Sequence, residues 1–179
     1  PKSEDTQVVL YGTENILSNN AKLLNKYKDR ISYCIANDII TMNDKPSYAF
    51  KNKRNSSLIK IIDDLHDKKI SGGVSSGNTG ALLTSALLIL GKIKGIKRPA
   101  LAPFIPIEGS GFILCDAGAN STVKPENLFQ FAIMSAAYLE HLGLNKNPRI
   151  ALLNIGSEEN KGNELTIESF KLLKDNLPN

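Results

Sequence analysis

Residues 72–90 read Gly72-Gly-Val-Ser-Ser-Gly-Asn-Thr-Gly-Ala-Leu-Leu-Thr-Ser-Ala-Leu-Leu-Ile-Leu90, and this stretch decides the predicted fold. Residues 72–75 predict a short strand and residues 75–80 a loop of small polar side chains. The apolar run over residues 81–93 predicts a helix that Asn78 or Thr79 caps. Because this helix is apolar on all sides, we expect it to lie in the protein interior. A strand, a tight loop and a buried helix in this order are typical of an α/β protein.

Strands and helices alternate in the same way along the rest of the chain. Further strands are predicted over residues 7–12, 31–36, 100–107, 112–115 and 150–154. Helical patterns follow the first strand as far as residue 28, begin again at Pro46, and cover residues 57–69, 125–142 and 164–174. Such alternation indicates an α/β fold with a mostly parallel sheet and helices on both faces. At 179 residues with 41% hydrophobic side chains, we expect residues 1–179 to form a single α/β domain.

Composition and charge exclude several classes of protein. Lys and Arg total 22 against 18 Asp and Glu, a net charge of +4 that can attract acidic partners without requiring a nucleic acid. The longest apolar runs, such as residues 81–90, are far shorter than the roughly 20 residues of a membrane span. The two cysteines form no Cys-x-x-Cys pair, and no set of side chains has metal-ligand spacing. We therefore predict a soluble protein in a reducing compartment, with no metal.

Polar loops follow several predicted strands, which is where open α/β sheets bind ligands. Ser75-Ser-Gly-Asn-Thr-Gly80 runs straight into the apolar helix, so its backbone N–H groups and the positive helix end can converge on an anion such as phosphate. Ser75, Asn78 and Thr79 add side-chain donors, and Gly77 lets the backbone approach a ligand closely. A capped tight turn without a ligand is the alternative interpretation.

Two later loops carry acids, amides and one cation. Cys115-Asp-Ala-Gly-Ala-Asn-Ser121 places Asp116 among small residues, where it could orient a base or a phosphate donor. Residues 154–164 surround Lys161 with three carboxylates. Lys161 could bind phosphate or stabilise the oxyanion that forms when phosphate attacks a thioester, and a surface ion pair is the alternative. Arg98 could grip a carboxylate or phosphate, or form a structural salt bridge between loops.

Three other features carry less weight. A nucleophilic Cys115 would need a base, but the two histidines lie near the ends of predicted helices, so we do not expect covalent catalysis. Gly109-Ser-Gly111 lacks the strand-to-helix context of a dinucleotide site. The basic run Lys51, Lys53 and Arg54 has no interleaved aromatic residues of the kind that stack on bases, so a solvated surface is its usual interpretation.

Four motifs, in order along the chain, resemble one protein family. They are Ser75-Ser-Gly-Asn-Thr-Gly-Ala81, Arg98-Pro-Ala100, Asp116-Ala-Gly-Ala-Asn120 and Leu152-Leu-Asn-Ile-Gly-Ser-Glu-Glu-Asn-Lys-Gly-Asn-Glu164. The likeness extends through Ile40-Thr-Met-Asn-Asp44 and Asn55-Ser-Ser57, from Val8 to Lys174. Together these motifs resemble the phosphate acyltransferases of bacterial phospholipid synthesis, the PlsX family.

The resemblance implies a fold, an activity and partners. The fold is a three-layer α/β/α sandwich similar to phosphate acetyltransferase and isopropylmalate dehydrogenase. The activity is transfer of a fatty acyl group from acyl carrier protein to inorganic phosphate, which forms acyl phosphate for phosphatidic acid synthesis without a metal or organic cofactor. The implied partners are the acidic acyl carrier protein, a second copy in a homodimer and a downstream glycerol-3-phosphate acyltransferase. The implied location is the cytoplasm, with peripheral attachment to the inner face of the membrane left open.

The resemblance also assigns roles to residues. Lys161 is the expected activating cation, with Asp116 and Asn154 beside it in the catalytic cleft. Contacts to phosphate or acyl phosphate are expected at Ser75, Gly77, Asn78, Thr79, Asn120 and Arg98. Because acyl carrier protein is acidic, the basic run of Lys51, Lys53 and Arg54 is expected to dock it.

One departure from the family concerns the ends of the chain. The family begins with a strand and a Met-Gly-Gly-Asp loop and continues beyond this chain's last residue. The chain starts at Pro1 without an initiator Met and stops at Leu177-Pro-Asn179, so we expect a fragment of a longer acyltransferase. Two alternatives stay open at this point. One is a phosphate acyltransferase that uses acyl-coenzyme A, and the other is a non-catalytic fragment that keeps only the fold and the dimer surface.

Overall fold

The computed structural model of the protein describes residues 6–20 and 25–177. The chain divides into two compact units, residues 1–91 and residues 92–179. Each unit contains both strands and helices, so the prediction of a mixed α/β protein is confirmed. The prediction of one domain over residues 1–179 stays a prediction.

The first unit pairs two strands and packs three helices together. β1 (Val8–Gly12) and β2 (Ile31–Ile35) are parallel, and α1 (Glu14–Asn19) lies between them in the chain. The helix predicted as far as residue 28 includes residues 21–24, which lie outside the described residues. Three helices follow: α2 (Pro46–Asn52), α3 (Ser57–His66) and α4 (Thr79–Ile89).

The core of the first unit lies among α2, α3 and α4. Its buried members are Ala49, Leu58, Ile59, Ile62 and Ala81. The first turn of α4 packs closely against the first turn of α2. A Cβ atom added at Gly80 would lie only 2.8 Å from Cγ of Pro46. On α4, Leu88 is 58% exposed. Within this helix only Ala81 and Ser85 are fully buried, so the prediction that it lies in the protein interior is wrong.

Tyr11 connects β1 to α3. Its hydroxyl donates to Oδ2 of Asp64 at 2.6 Å, and this hydrogen bond holds the pKa of the Asp64 carboxyl below its usual value. We expect Tyr11→Phe to lower the free energy of unfolding by about 1–2 kcal/mol, because one hydrogen bond to a charged group is lost. Urea unfolding measures the loss, with Tyr33→Phe on β2 as the control, since Tyr33 is 62% exposed. Equal losses in both variants would contradict the prediction.

The second unit contains a hairpin and two packed helices. β3 (Phe104–Ile107) and β4 (Ser110–Ile113) are antiparallel, and Gly109 adopts a φ of +71° in the turn between them. α5 (Pro125–His141) packs against α6 (Glu164–Asn176), and Phe131 and Leu173 are buried on these helices. Within residues 6–20 and 25–177, the structure contains no helix that is both long and apolar enough to span a bilayer.

Four of the predicted strands differ from the structure. Residues 72–75 and 150–154 are not strands, and the strand predicted over residues 100–107 begins only at Phe104. The strand predicted over residues 112–115 is Ser110–Ile113, and it pairs antiparallel to its neighbour. A strand needs a hydrogen-bonded partner, and residues 72–75 and 150–154 have none among the described residues. Apolar side chains in and beside these segments are consequently exposed: Val74 at 93%, Leu153 at 85% and Ile155 at 88%.

Candidate functional site

The loop that precedes α4 ends in unused hydrogen-bond donors. Among the described residues, the backbone N–H groups of Thr79 and Gly80 have no acceptor, as expected for the first turn of a helix. Ser75 Oγ accepts the N–H of Gly77 at 3.2 Å, and residues 75–77 are exposed. The predicted anion loop is therefore open to solvent, with two backbone donors directed out of the helix end.

Asn78 is buried beneath this loop. Its Nδ2 lies 3.0, 3.2 and 3.0 Å from the carbonyl oxygens of Thr41, Met42 and Asp44, and its Oδ1 accepts the N–H of Ala81 at 2.9 Å. The side chain is thus engaged at both ends, and the residue is only 7% exposed. Its amide joins the start of α4 to residues 41–44.

Asp44 and Lys53 hold the segment that Asn78 contacts. Lys53 Nζ lies 2.5 Å from Asp44 Oδ2 and donates to the carbonyl of Ile39 at 2.7 Å. Asp44 Oδ2 also accepts the N–H of Thr41 at 2.6 Å. The hydrogen bond from Lys53 is the main reason that the pKa of the Asp44 carboxyl is lowered. Sequence reasoning missed Asp44, although its place in the polar turn Thr41-Met-Asn-Asp44 just before Pro46 was a signal for it.

The other members of the basic run have different surroundings. Arg54 pairs with Asp63 at 3.2 Å and stands 4.8 Å from the centre of the Phe50 ring. Lys51 is exposed and forms no ion pair within the described part of the chain. Of the three predicted docking residues, Lys51 is exposed without an ion pair, Arg54 is half-exposed in its pair with Asp63, and Lys53 is held by Asp44 in a more shielded pair.

In the second unit, Asp116 is the centre of a hydrogen-bonded loop. Its Oδ1 accepts the N–H groups of Leu101 and Ala119 at 2.8 and 3.2 Å. Its Oδ2 accepts the backbone N–H and Nδ2 of Asn120 at 2.8 and 3.0 Å. Partial burial raises the pKa of the Asp116 carboxyl, but the hydrogen bonds together outweigh burial and lower it. The carboxylate is therefore ionised and saturated with donors, which suits holding a loop better than moving a proton.

Asn120 and Arg98 complete this loop system. Asn120 Nδ2 also donates to the carbonyl of Pro99 at 2.9 Å, next to Arg98. Arg98 donates to the carbonyl of Thr122 at 2.8 Å and lies at the surface. Within the described residues, no carboxylate pairs with Arg98. The remaining N–H groups of its guanidinium are therefore available to a ligand.

Lys161 lies at the edge of a cavity of about 540 Å³ in the second unit. Its N–H donates to the carbonyl of Glu158, and its own carbonyl accepts Nδ2 of Asn154 at 2.8 Å. No carboxylate pairs with Lys161 Nζ in the described ranges, whereas Lys174, on the same cavity, pairs with Glu159 at 2.6 Å. The apolar side of the cavity is lined by Ile150, Leu152, Phe170, Leu173 and Leu177. Lys161 is thus a cation without an ion-pair partner among the described residues, at the edge of a partly apolar cavity.

Gly162 shapes the loop that carries Lys161. It has a φ of +101°, which disfavours any other residue, and a Cβ there would lie 2.4 Å from Oδ1 of Asn154. The absence of a side chain at Gly162 therefore leaves room for the Asn154 amide, which donates to the Lys161 carbonyl.

Cys115 is half-buried beside Asp116. Burial raises the pKa of its thiol, and the neighbouring Asp116 charge adds to this effect. A raised pKa disfavours the thiolate, the form that a cysteine nucleophile needs. This agrees with the expectation that Cys115 is not a nucleophile.

The structure brings the predicted site residues together in local groups. Ser75, Gly77 and Thr79 share one loop in the first unit. In the second unit Asp116 contacts Asn120, and Asn154 contacts Lys161. No hydrogen bond or ion pair joins these last two groups to each other in the described part of the chain. Within the same part, no cluster of three His, Cys, Asp or Glu side chains could hold a metal ion.

The fold and these loops define a mixed α/β protein in which a helix end is open to an anion. The chain belongs to the fatty acid synthesis protein family, the model of which matches residues 1–178. This confirms the resemblance found in the sequence motifs.

Relatives extend this assignment over nearly the whole chain. A phosphate acyltransferase of Dictyoglomus thermophilum is 47% identical over 176 residues, which cover 98% of this chain and 52% of the relative. Phosphate acyltransferases of Clostridium tetani and Bacillus subtilis are 44% and 41% identical over 97% and 96% of this chain, and 52% and 51% of their own lengths. The chain therefore spans about half the length of the curated relatives it matches.

Proposed function

We propose that this chain contributes to an acyltransferase that moves a fatty acyl group from acyl carrier protein to inorganic phosphate, forming acyl phosphate for phospholipid synthesis. The observation that carries the proposal is the identity of 41–47% to proteins named phosphate acyltransferase over nearly the whole chain. The open helix end at Thr79 and Gly80 and the uncommitted Lys161 supply the two features that the chemistry needs: an anion site and a cation.

The proposed reaction needs no covalent enzyme intermediate. A phosphate oxygen attacks the thioester carbonyl carbon, the new C–O bond forms, and the carbonyl oxygen becomes an oxyanion. The oxyanion then collapses to the carbonyl, the C–S bond breaks, and the carrier's thiolate leaves and takes up the proton that the attacking hydrogen phosphate loses. Phosphate is held by the N–H groups of Thr79 and Gly80 with the Ser75 hydroxyl, and Lys161 stabilises the oxyanion. Asp116 anchors the loop of residues 116–120 and Asn154 anchors the loop that carries Lys161, and Asn120 and Arg98 are proposed to contact the substrate.

The finer fold belongs to the same proposal. In a chain of the relatives' length, residues 72–75 and 150–154 become strands of a mostly parallel sheet in a three-layer α/β/α sandwich. Their exposed apolar side chains support this, because a buried parallel strand needs apolar residues on both faces. Hydrogen exchange of residues 150–154 tests it: slow exchange is expected in a version extended to the relatives' length, called the extended chain below, and fast exchange there would refute it.

The partners follow from the sequence resemblance. A homodimer in the cytoplasm that passes acyl phosphate to a glycerol-3-phosphate acyltransferase is part of the proposal. Light scattering on the extended chain tests the dimer. A monomer at micromolar concentration would contradict the proposed homodimer.

Formation of acyl phosphate from palmitoyl-acyl carrier protein and inorganic phosphate tests the activity. The assay uses the 179-residue chain and the extended chain in parallel. We expect product with the extended chain, and product with palmitoyl-coenzyme A alone would favour the coenzyme A donor instead. No product with either donor in the extended chain would overturn the proposed reaction.

Reversing the exposed charges of the basic run tests carrier docking. Lys51→Glu with Arg54→Glu is expected to raise the KM for acyl carrier protein about fivefold to tenfold at low salt, with little change in the KM for phosphate. The effect should shrink as salt is added. Lys146→Glu with Lys171→Glu, two exposed lysines of the second unit, makes the same change in net charge and is the control. An equal rise in KM for the control would place docking elsewhere.

A further inference from the structure

Asn78, Asp44 and Lys53 form a connected set beneath the anion loop, called the loop clamp below. We infer that the loop clamp positions the backbone N–H groups of Thr79 and Gly80 for the anion, without contacting the anion itself. The inference rests on the proposed function for the identity of that anion, inorganic phosphate. In this inference Asn78 positions the loop instead of contacting phosphate, and Lys53 holds Asp44 instead of docking acyl carrier protein.

The upper half of the loop clamp is the Asn78 amide. Its two N–H groups face three carbonyl oxygens of residues 41–44 at 3.0–3.2 Å, while its oxygen caps Ala81. A serine at this position could still cap the helix, but its single hydroxyl could not also reach those carbonyls. The amide therefore does more than a cap requires, because it fixes the start of α4 to residues 41–44.

The lower half of the loop clamp is the ion pair. The side chains of Lys53 and Asp44 are 22% and 15% exposed, so their interaction is better shielded from solvent than that of a surface pair. Asp44 Oδ2 also accepts the N–H of Thr41, whose carbonyl is one of those that Asn78 binds. Loss of the ion pair would release the carbonyls of Thr41 and Asp44, and with them the partners of Asn78.

Packing reinforces the hydrogen bonds. The missing side chain at Gly80 lets Pro46 sit against the first turn of α4, since a Cβ there would approach Pro46 Cγ to 2.8 Å. Residues 41–46 thus meet the helix start through both polar and apolar contacts. A displaced 41–44 segment would move the turn that presents the free N–H groups, and small displacements at such groups are costly for binding and catalysis.

Asp44→Asn separates positioning from simple electrostatics. Removing a negative charge from this unit should tighten phosphate binding if only charge mattered, whereas loss of the loop clamp should weaken it. In the ¹⁵N-labelled 179-residue chain titrated with inorganic phosphate, we expect the Kd read from the Thr79 and Gly80 amide shifts to rise at least about fivefold. We also expect faster hydrogen exchange at Ala81. The matched control is Asp67→Asn, which breaks an exposed pair with Lys69.

Asn78→Ser provides the same test through the upper half, should Asp44→Asn fail to fold. It keeps the cap and is expected to raise the phosphate Kd by a similar factor. Unchanged or tighter phosphate binding in the folded variants would overturn the inference, as would an unchanged exchange rate at Ala81 in Asp44→Asn. If phosphate leaves the Thr79 and Gly80 resonances of the wild-type chain unmoved, the phosphate site of the proposed function fails, while the exchange rates alone still decide whether the loop clamp holds the loop.

Discussion

Replacing Lys161 by alanine is expected to lower kcat for acyl-phosphate formation by about 10²–10³-fold in the extended chain. The reason is that Lys161 borders the cavity with no carboxylate on its ammonium among the described residues, so its charge is available to a developing oxyanion. The carbonyl oxygen gains its charge only in the transition state, so the loss should fall mainly on kcat. Steady-state kinetics with acyl carrier protein and phosphate each varied measures both constants.

Two companion variants make this result specific. Lys171→Ala removes an exposed lysine from α6, and it should leave kcat unchanged. Lys174→Ala removes a cation on the same cavity that is already paired with Glu159, so its effect should be much smaller than that of Lys161→Ala. Undiminished kcat in Lys161→Ala would rule out Lys161 as the activating cation. A rise in the phosphate KM with constant kcat would instead make it a ground-state phosphate ligand.

The two helices of the second unit could be predicted closely from the sequence. The helix predicted over residues 125–142 is Pro125–His141, and that predicted over residues 164–174 is Glu164–Asn176. Helical hydrogen bonds join residues four apart, and caps such as Asn78 and Asn163 act within three residues. All of this information is local, which is why periodicity and capping residues were sufficient.

The strands could be predicted less well because strand partners are distant in sequence. Residues 150–154 have the apolar pattern of a buried strand, but a pattern cannot supply the neighbouring strand that the backbone needs. β3 and β4 form a hairpin because Gly109 permits a tight turn, and the adjacent chain is then the nearest partner. A mostly parallel sheet was predicted, and among the described strands β1 and β2 pair in parallel whereas β3 and β4 are antiparallel.

For the candidate site, the sequence identified the loops that form it better than it identified the role of each side chain in them. The loop over residues 75–80 does open α4, and Asn154 and Lys161 do lie together. Residue type alone could not show that Asn78 faces carbonyls 34–37 positions earlier in the chain. It also could not show that Lys53 is held by Asp44. Such roles depend on tertiary contacts, which no local pattern encodes.

Asp116→Ala is expected to lower the free energy of unfolding of the second unit by about 2–3 kcal/mol. Asp116 accepts hydrogen bonds from three backbone N–H groups and one side-chain amide, and alanine would leave these donors without their acceptor. Asp116→Asn keeps one acceptor oxygen, but its NH₂ group would face N–H donors that the second carboxylate oxygen now accepts. We therefore expect a similar loss of stability. Urea unfolding followed by the amide resonances of residues 99–120 measures both losses. Glu108→Gln, an exposed acid in the β3–β4 turn, is the control.

The pH dependence of these losses distinguishes a loop anchor from a general base. Because the folded-state pKa of Asp116 is lowered, its carboxylate stabilises the fold fully above the unfolded-state pKa of about 4, and that stabilisation is lost as the pH falls through the folded-state value. The stability gap between the wild-type chain and Asp116→Asn should therefore be constant from pH 8 to about pH 5 and should shrink below about pH 4. A catalytic base would instead give a variant with wild-type stability and a kcat that no longer depends on the ionisation of this group. Wild-type stability of Asp116→Asn at pH 7 would therefore rule out the anchoring role, because the donors around the carboxylate could not then depend on its charge.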